Sequence, residues 1–172
     1  MSTLHINTQK TKILQSWSIF FFLHTNNSIG DRMEDLEVLE YLYTNIIIHI
    51  EMLYKLLSKK QVKDEVYYLV KENIIEYRKF LVSTKRMIVI RNEKRAFKNN
   101  ILHNIASSIE ANVKENNNEF LSTLKESAKI WILDVDKVEK EYKIKSKTVL
   151  NLLSRIKNYE KNNLERVIEL IG

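Results

Sequence analysis

The chain is 172 residues long, carries a net charge of +6 with an isoelectric point near 9.3, and contains neither cysteine nor proline. Without cysteine there is no disulfide framework, thiolate zinc site or cysteine nucleophile, which fits a reducing compartment. With glycine only at positions 30 and 172, little in the chain interrupts a helix, and the basic excess favours anionic surfaces in general without selecting a partner.

The first stretch, Ile13 to Leu23, is apolar and follows Lys10 and Lys12. It is too short to span a bilayer and lacks a small-x-small cleavage site, so it is not expected to act as a secretion signal. Gly30, Asp31 and Arg32 before Met33 would be written GGA GAU AGA AUG in an AT-rich gene, a string that resembles a ribosome-binding site and start codon. Residues 1–32 are therefore expected to be a leader outside the native protein, and 33–172 a single cytoplasmic domain. The rival expectation is an N-terminal helix that docks Trp17, Phe20 and Leu23 on the bundle or a partner.

From Met33 to Ser58 the residues Leu36, Leu39, Tyr43, Ile46, Ile50, Leu53 and Leu57 alternate steps of three and four, the seam of a helix packed in coiled-coil fashion. After a polar break at 59–63 the pattern resumes with Tyr67, Val70, Ile74, Tyr77, Leu81, Thr84 and Ile88, so the two helices should form an antiparallel hairpin. A third seam holds Leu121, Leu124, Ala128, Trp131, Val135, Val138 and Tyr142, with Asn116, Asn117 and Asn118 as N-cap candidates. A fourth follows Ser146, another cap candidate, through Leu150, Leu153, Leu164, Val167 and Ile171. Between the hairpins, Arg91 to Glu115 is too long for a turn, and Phe97, Ile101, Ile105, Ile109 and Val113 recur at helical spacing. The expected fold is all-α, a ferritin-like four-helix bundle of two antiparallel hairpins joined by a helical crossover.

From Asp35 onward, the stretches "LEVLEYLYTN", "IEMLYKLL", "EYRKF", "ILDVDKVEKEY" and "NYEKNNLERVIELI" resemble the small uncharacterised ferritin-like proteins of Gram-positive bacteria. The resemblance implies the same fold and no particular activity. His49, Ser127 and Trp131 depart from it, standing where small residues, often glycine, would be expected.

A ferritin-like bundle raises the question of a carboxylate-bridged di-metal centre, which needs inward glutamates and two Glu-x-x-His motifs. The sequence has no Glu-x-x-His. His49 and Glu51, two residues apart, point in different directions on a helix. Glu72 and Glu76 fall on the outer face of the second helix, Asp134 and Glu139 beside the third seam, and only Glu160 lies on an apolar stripe. No metal or cofactor is therefore expected, and Glu160 should snorkel or pair with a lysine. His5, His24, His49 and His103 are scattered, no glycine-rich phosphate loop exists, and no catalytic residues or small-molecule substrate are indicated. Trp131 and the seam tyrosines are expected to fill the core.

The densest basic segment runs from Lys85 to Lys98. Its cations Lys85, Arg86, Arg91, Lys94, Arg95 and Lys98 form a candidate anion-binding set for phosphates of nucleic acid or acidic lipid, against the plainer reading of a solvated face that complements a helix C-terminus. The favoured function is a non-enzymatic interaction or scaffold protein with a protein partner or self-association. A ferritin-like metal-binding protein and a binder of nucleic acid or acidic membrane through 85–98 are the alternatives.

Overall fold

A computed structural model describes residues 35–58, 62–91 and 117–172. The expected leader, nearly all of the expected crossover, and Lys94, Arg95, Lys98 and His103 lie outside the described residues. Among the described residues the chain is all-helical, with α1 at Asp35–Leu57, α2 at Asp64–Arg91, α3 at Asn117–Glu141 and α4 at Lys147–Ile171, and no strand.

Charge placement helps to set the helix ends. Asp35 and Glu37 open α1, Asp64 and Glu65 open α2 and Glu119 opens α3, while Lys55, Arg91 and Lys140 occupy the last turns, each sign complementing the helix dipole. α4 lacks this help at both ends. It starts from Ser146 in an extended conformation, whose carbonyl accepts from the Val149 and Leu150 amides. The Ser146 hydroxyl makes no cap hydrogen bond and partners Thr148 Oγ1 at 2.7 Å instead. Gly172 closes the helix at φ +84, a left-handed conformation that suits a residue without a Cβ.

α1 packs on α2 and α3 packs on α4. Cross-hairpin bonds fix the remaining directions. Tyr41 bonds Asp134 and His49 bonds Ser127, so α1 and α3 are antiparallel neighbours. Arg91 bonds Ser146 and Thr148 while Arg166 bonds Glu72, so α2 and α4 are antiparallel neighbours as well. It follows that α2 and α3 run in the same direction, and that the end of α2 and the start of α3 lie at opposite ends of the bundle. In a plain up-down bundle these two helices would run in opposite directions.

The core combines the four seams. Leu39, Leu42, Ile46 and Leu53 of α1 are wholly buried, each contributing about 2 kcal/mol relative to exposure. α1 buries more than the expected single stripe, adding Val38, Tyr41, Met52 and Leu56. The expected core residues Ile46, Ile50, Ile74, Leu124, Val135, Leu153 and Val167 are buried, and Leu81 is half-buried.

Three seam assignments are corrected. Tyr67 is exposed because Val66, Leu69 and Val70 face inward around it; its ring meets Tyr68 edge-on and lies under the Lys71 ammonium. Leu150 and Ile171 are exposed because the α4 seam runs through Val149, Leu153, Ile156, Glu160, Asn163 and Val167. Polar residues on that seam hide its true phase from an apolar count.

Candidate functional site

The most unusual chemistry lies inside the bundle, where all four helices contribute polar side chains at one level. His49 comes from α1, Asn73 and Tyr77 from α2, Ser127 and Trp131 from α3, and Tyr159, Glu160 and Asn163 from α4. Register places them together. His49 stacks on Tyr77 with ring centroids 4.2 Å apart, Tyr77 meets Tyr159 edge-on at 6.0 Å, and the Tyr159 hydroxyl donates to Asn73 Oδ1. Glu160 is the next residue and Asn163 follows one turn on, both facing the interior.

His49 is the centre of the layer. Trp131 Nε1 approaches His49 Nδ1 at 3.1 Å, and an indole N–H can only donate. Nδ1 must therefore be the acceptor, which puts the proton of the neutral ring on Nε2 and makes Ser127 Oγ, 3.2 Å from the same nitrogen, a second donor. Burial pulls the imidazole down to about 3, so it is uncharged at neutral pH. The Nε2–H points into the core and makes no hydrogen bond. Trp131, expected as filler, is thus also the donor that selects the histidine tautomer. Ser127 and Trp131 of α3 thus form one hydrogen-bonded group with His49 of α1, centred on its Nδ1.

Glu160 behaves differently from the expectation. It neither snorkels nor pairs with a lysine: it is fully buried, and neither carboxyl oxygen makes a hydrogen bond. Burial pushes its carboxyl up to about 8, against the opposing pull of the neighbouring Asn163 side chain, which favours the ionised form. At neutral pH Glu160 is mostly protonated and the whole layer carries almost no charge. Its unmatched groups are donors at His49 Nε2 and Asn73 Nδ2, an acceptor at Asn163 Oδ1, and the Tyr77 hydroxyl and protonated Glu160 carboxyl, each of which can do both.

Chemically, this is a sealed, neutral layer. The His49 tautomer directs a proton rather than a lone pair inward, so the ring is not set to ligate a metal. Among the described residues no group of three or more His, Asp or Glu could hold a metal ion. Glu51 and Glu76 are half-buried and Glu72 is exposed, and Glu51 points to a different side of α1 from His49. The polar layer acts on alignment. Slipping α4 by one turn would set Glu160 and Asn163 against apolar neighbours, a costly exchange in a dry core.

At the surface, Lys157 ties α4 to α3 through Asp136 at 2.8 Å and Glu139 at 2.5 Å. The hydrogen bond from Lys157 holds the Asp136 carboxyl below its usual range. Of the candidate anion-binding set, Lys85 and Arg86 are exposed on α2. The Arg91 guanidinium is engaged on Ser146 Oγ at 2.6 Å and Thr148 Oγ1 at 3.2 Å, clamping the end of α2 to the start of α4.

Sequence counting missed Asn73 and Asn163 because it tracked only apolar residues. The signal was present: 66, 70, 73, 77, 80 and 84 keep steps of four and three through Asn73, and 149, 153, 156, 160, 163 and 167 keep them through Glu160 and Asn163.

The outer face of α2 is the other unusual feature. Tyr68, Ile75, Val82 and Val89 stand exposed at intervals of seven, on the side opposite its buried seam. Comparison with protein-family models, with curated proteins and with solved structures gave no match to this chain.

Proposed function

We propose that this chain is a non-enzymatic interaction protein of the cytoplasm, a ferritin-like bundle whose working surface is the outer face of α2. The carrying observation is the apolar heptad Tyr68, Ile75, Val82 and Val89, exposed along a helix whose opposite face is already packed. Four apolar side chains aligned about 10 Å apart along one exposed helix face, with charged residues between them, support a contact surface there. The ferritin-like reading draws support from the shared direction of α2 and α3, which a plain up-down bundle would not show. Among the described residues no helix is long and apolar enough to cross a membrane.

Site-specific photo-crosslinking in cells tests the reading. A benzophenone amino acid placed at Val82 or Ile75 should give protein adducts, and one at Lys129 on the exposed face of α3 should not. Absence of adducts from both α2 positions would remove the proposed function. Stoichiometric iron, manganese or zinc in protein purified without a metal-affinity tag would favour the metal-binding alternative instead.

A further inference from the structure

The two halves of α4 are held very differently. Up to Tyr159 the helix buries Val149, Leu152, Leu153 and Ile156, and Lys157 pins it to Asp136 and Glu139 of α3. Tyr159 ends this firm half, setting its ring edge-on against Tyr77 and Phe80 and donating its hydroxyl to Asn73. Beyond Glu160, residues 161–171 bury a single apolar side chain, Val167, with Leu164 and Leu170 half-buried. Their other buried residue is Asn163, whose Oδ1 makes no hydrogen bond. The tie from this half to α2 is the pair of Arg166 with Glu72, side chains 47% and 58% exposed, and pairs so exposed hold weakly.

Glu160 stands at the boundary between the halves. The bonds from Arg91 to Ser146 and from Arg166 to Glu72 fix the register of α2 on α4, which sets Glu160 across from Tyr77 and Val167 across from Val70. The titratable groups around this level offer an ionised carboxylate no positive charge. On α1, His49 is neutral and its Nδ1 is taken by Ser127 and Trp131. On α2, Tyr77 is uncharged and Glu76 pairs with Lys79 at 2.7 Å. On α3, Asp134 is itself an acid and accepts from the Tyr41 hydroxyl. On α4, Tyr159 is uncharged and Lys157 is committed to α3. Water is what remains to solvate the charge, and the weakly held turns after Glu160 are the ones that can move to admit it.

We infer that residues 161–171 of α4 form a proton-controlled flap, lying on the core while the Glu160 carboxyl holds its proton and lifting away when that proton leaves. With the flap down, burial holds the carboxyl up at about 8; once lifted, it returns towards its ordinary 4.5. As pH rises between these values the lifted form gains on the closed one by up to about tenfold per unit, and the gain ends above the closed value. Lifting also brings water to the unmatched atoms of Asn163, Asn73 and Tyr77, so these groups do not oppose it.

Amide hydrogen exchange on the full-length chain, read by mass spectrometry and corrected for the intrinsic rate at each pH, tests this. Protection across 161–168 should be at least roughly tenfold below that across 149–158, with a weaker urea dependence, the signature of a local opening. Between pH 6 and 7 the protection of 161–168 should fall by nearly tenfold, and Glu160→Gln should abolish that fall while keeping the helical content of the parent. Equal protection of the two segments at every pH overturns the flap, because the halves of α4 would then open only together with the bundle. Lower protection of 161–168 that does not change with pH, or that changes equally in Glu160→Gln, overturns the proton control and reduces the segment to a fraying helix end.

Discussion

Replacing Glu160 by glutamine preserves the shape of the side chain and removes its ability to ionise, which isolates the energetic effect of a carboxyl in the core. In the folded chain burial holds the Glu160 carboxyl up at about 8, against 4.5 for the free group. Between those values the folded chain keeps a proton that the unfolded chain has released. Stability therefore falls as pH rises through this window, by about 1.4 kcal/mol per pH unit at most, and levels off above the folded value. At pH 7 the accumulated loss has a ceiling of roughly 3 kcal/mol, and relaxation around the ionised group reduces it to about 1–3 kcal/mol. Glu160→Gln should escape this loss. Chemical denaturation followed by circular dichroism should show the variant more stable than the parent at pH 7 and 8, with the advantage shrinking towards pH 4.5. A variant no more stable at pH 8, or an advantage of equal size at pH 5 and pH 8, would refute the reasoning.

His49 has the opposite sign. Burial pulls its imidazole down to about 3 from 6.5, so the unfolded chain takes up the proton first and stability is lost as pH falls from 6.5 towards 3. Between about 4.5 and 6.5 the two dependences oppose each other, and the parent's stability should be nearly flat there and decline on both sides; a steady slope through pH 5–6 would contradict this pairing. Trp131→Phe removes one of the two donors to His49 Nδ1 and should lower unfolding free energy in urea by about 1–2 kcal/mol, with a larger loss if Ser127→Ala is added. Leu153→Ala, at a wholly buried position, should cost about 2–5 kcal/mol in the same assay. Lys157→Met breaks the pairs to Asp136 and Glu139, yet at this surface the loss should stay below about 1 kcal/mol and shrink in high salt.

The helices and their pairing were legible because an amphipathic period is a local property: Leu39, Ile46 and Leu53, or Leu124, Trp131 and Val138, declare a buried face by spacing alone. Where polar residues occupied seam positions, the same counting lost phase, placing Tyr67, Leu150 and Ile171 inside and overlooking Asn73 and Asn163. A polar side chain is buried only when the facing helices accommodate it, and that is settled by contacts far apart in the chain. Glu160 shows the division most clearly. Its place on an apolar stripe followed from periodicity, but its full burial, and hence its raised carboxyl, depended on how the facing helices close over it. His49, Ser127 and Trp131 were separable oddities in sequence, more than 75 residues apart between α1 and α3. Antiparallel packing of those two helices made them one hydrogen-bonded group, because only the register between helices decides which side chains share a level.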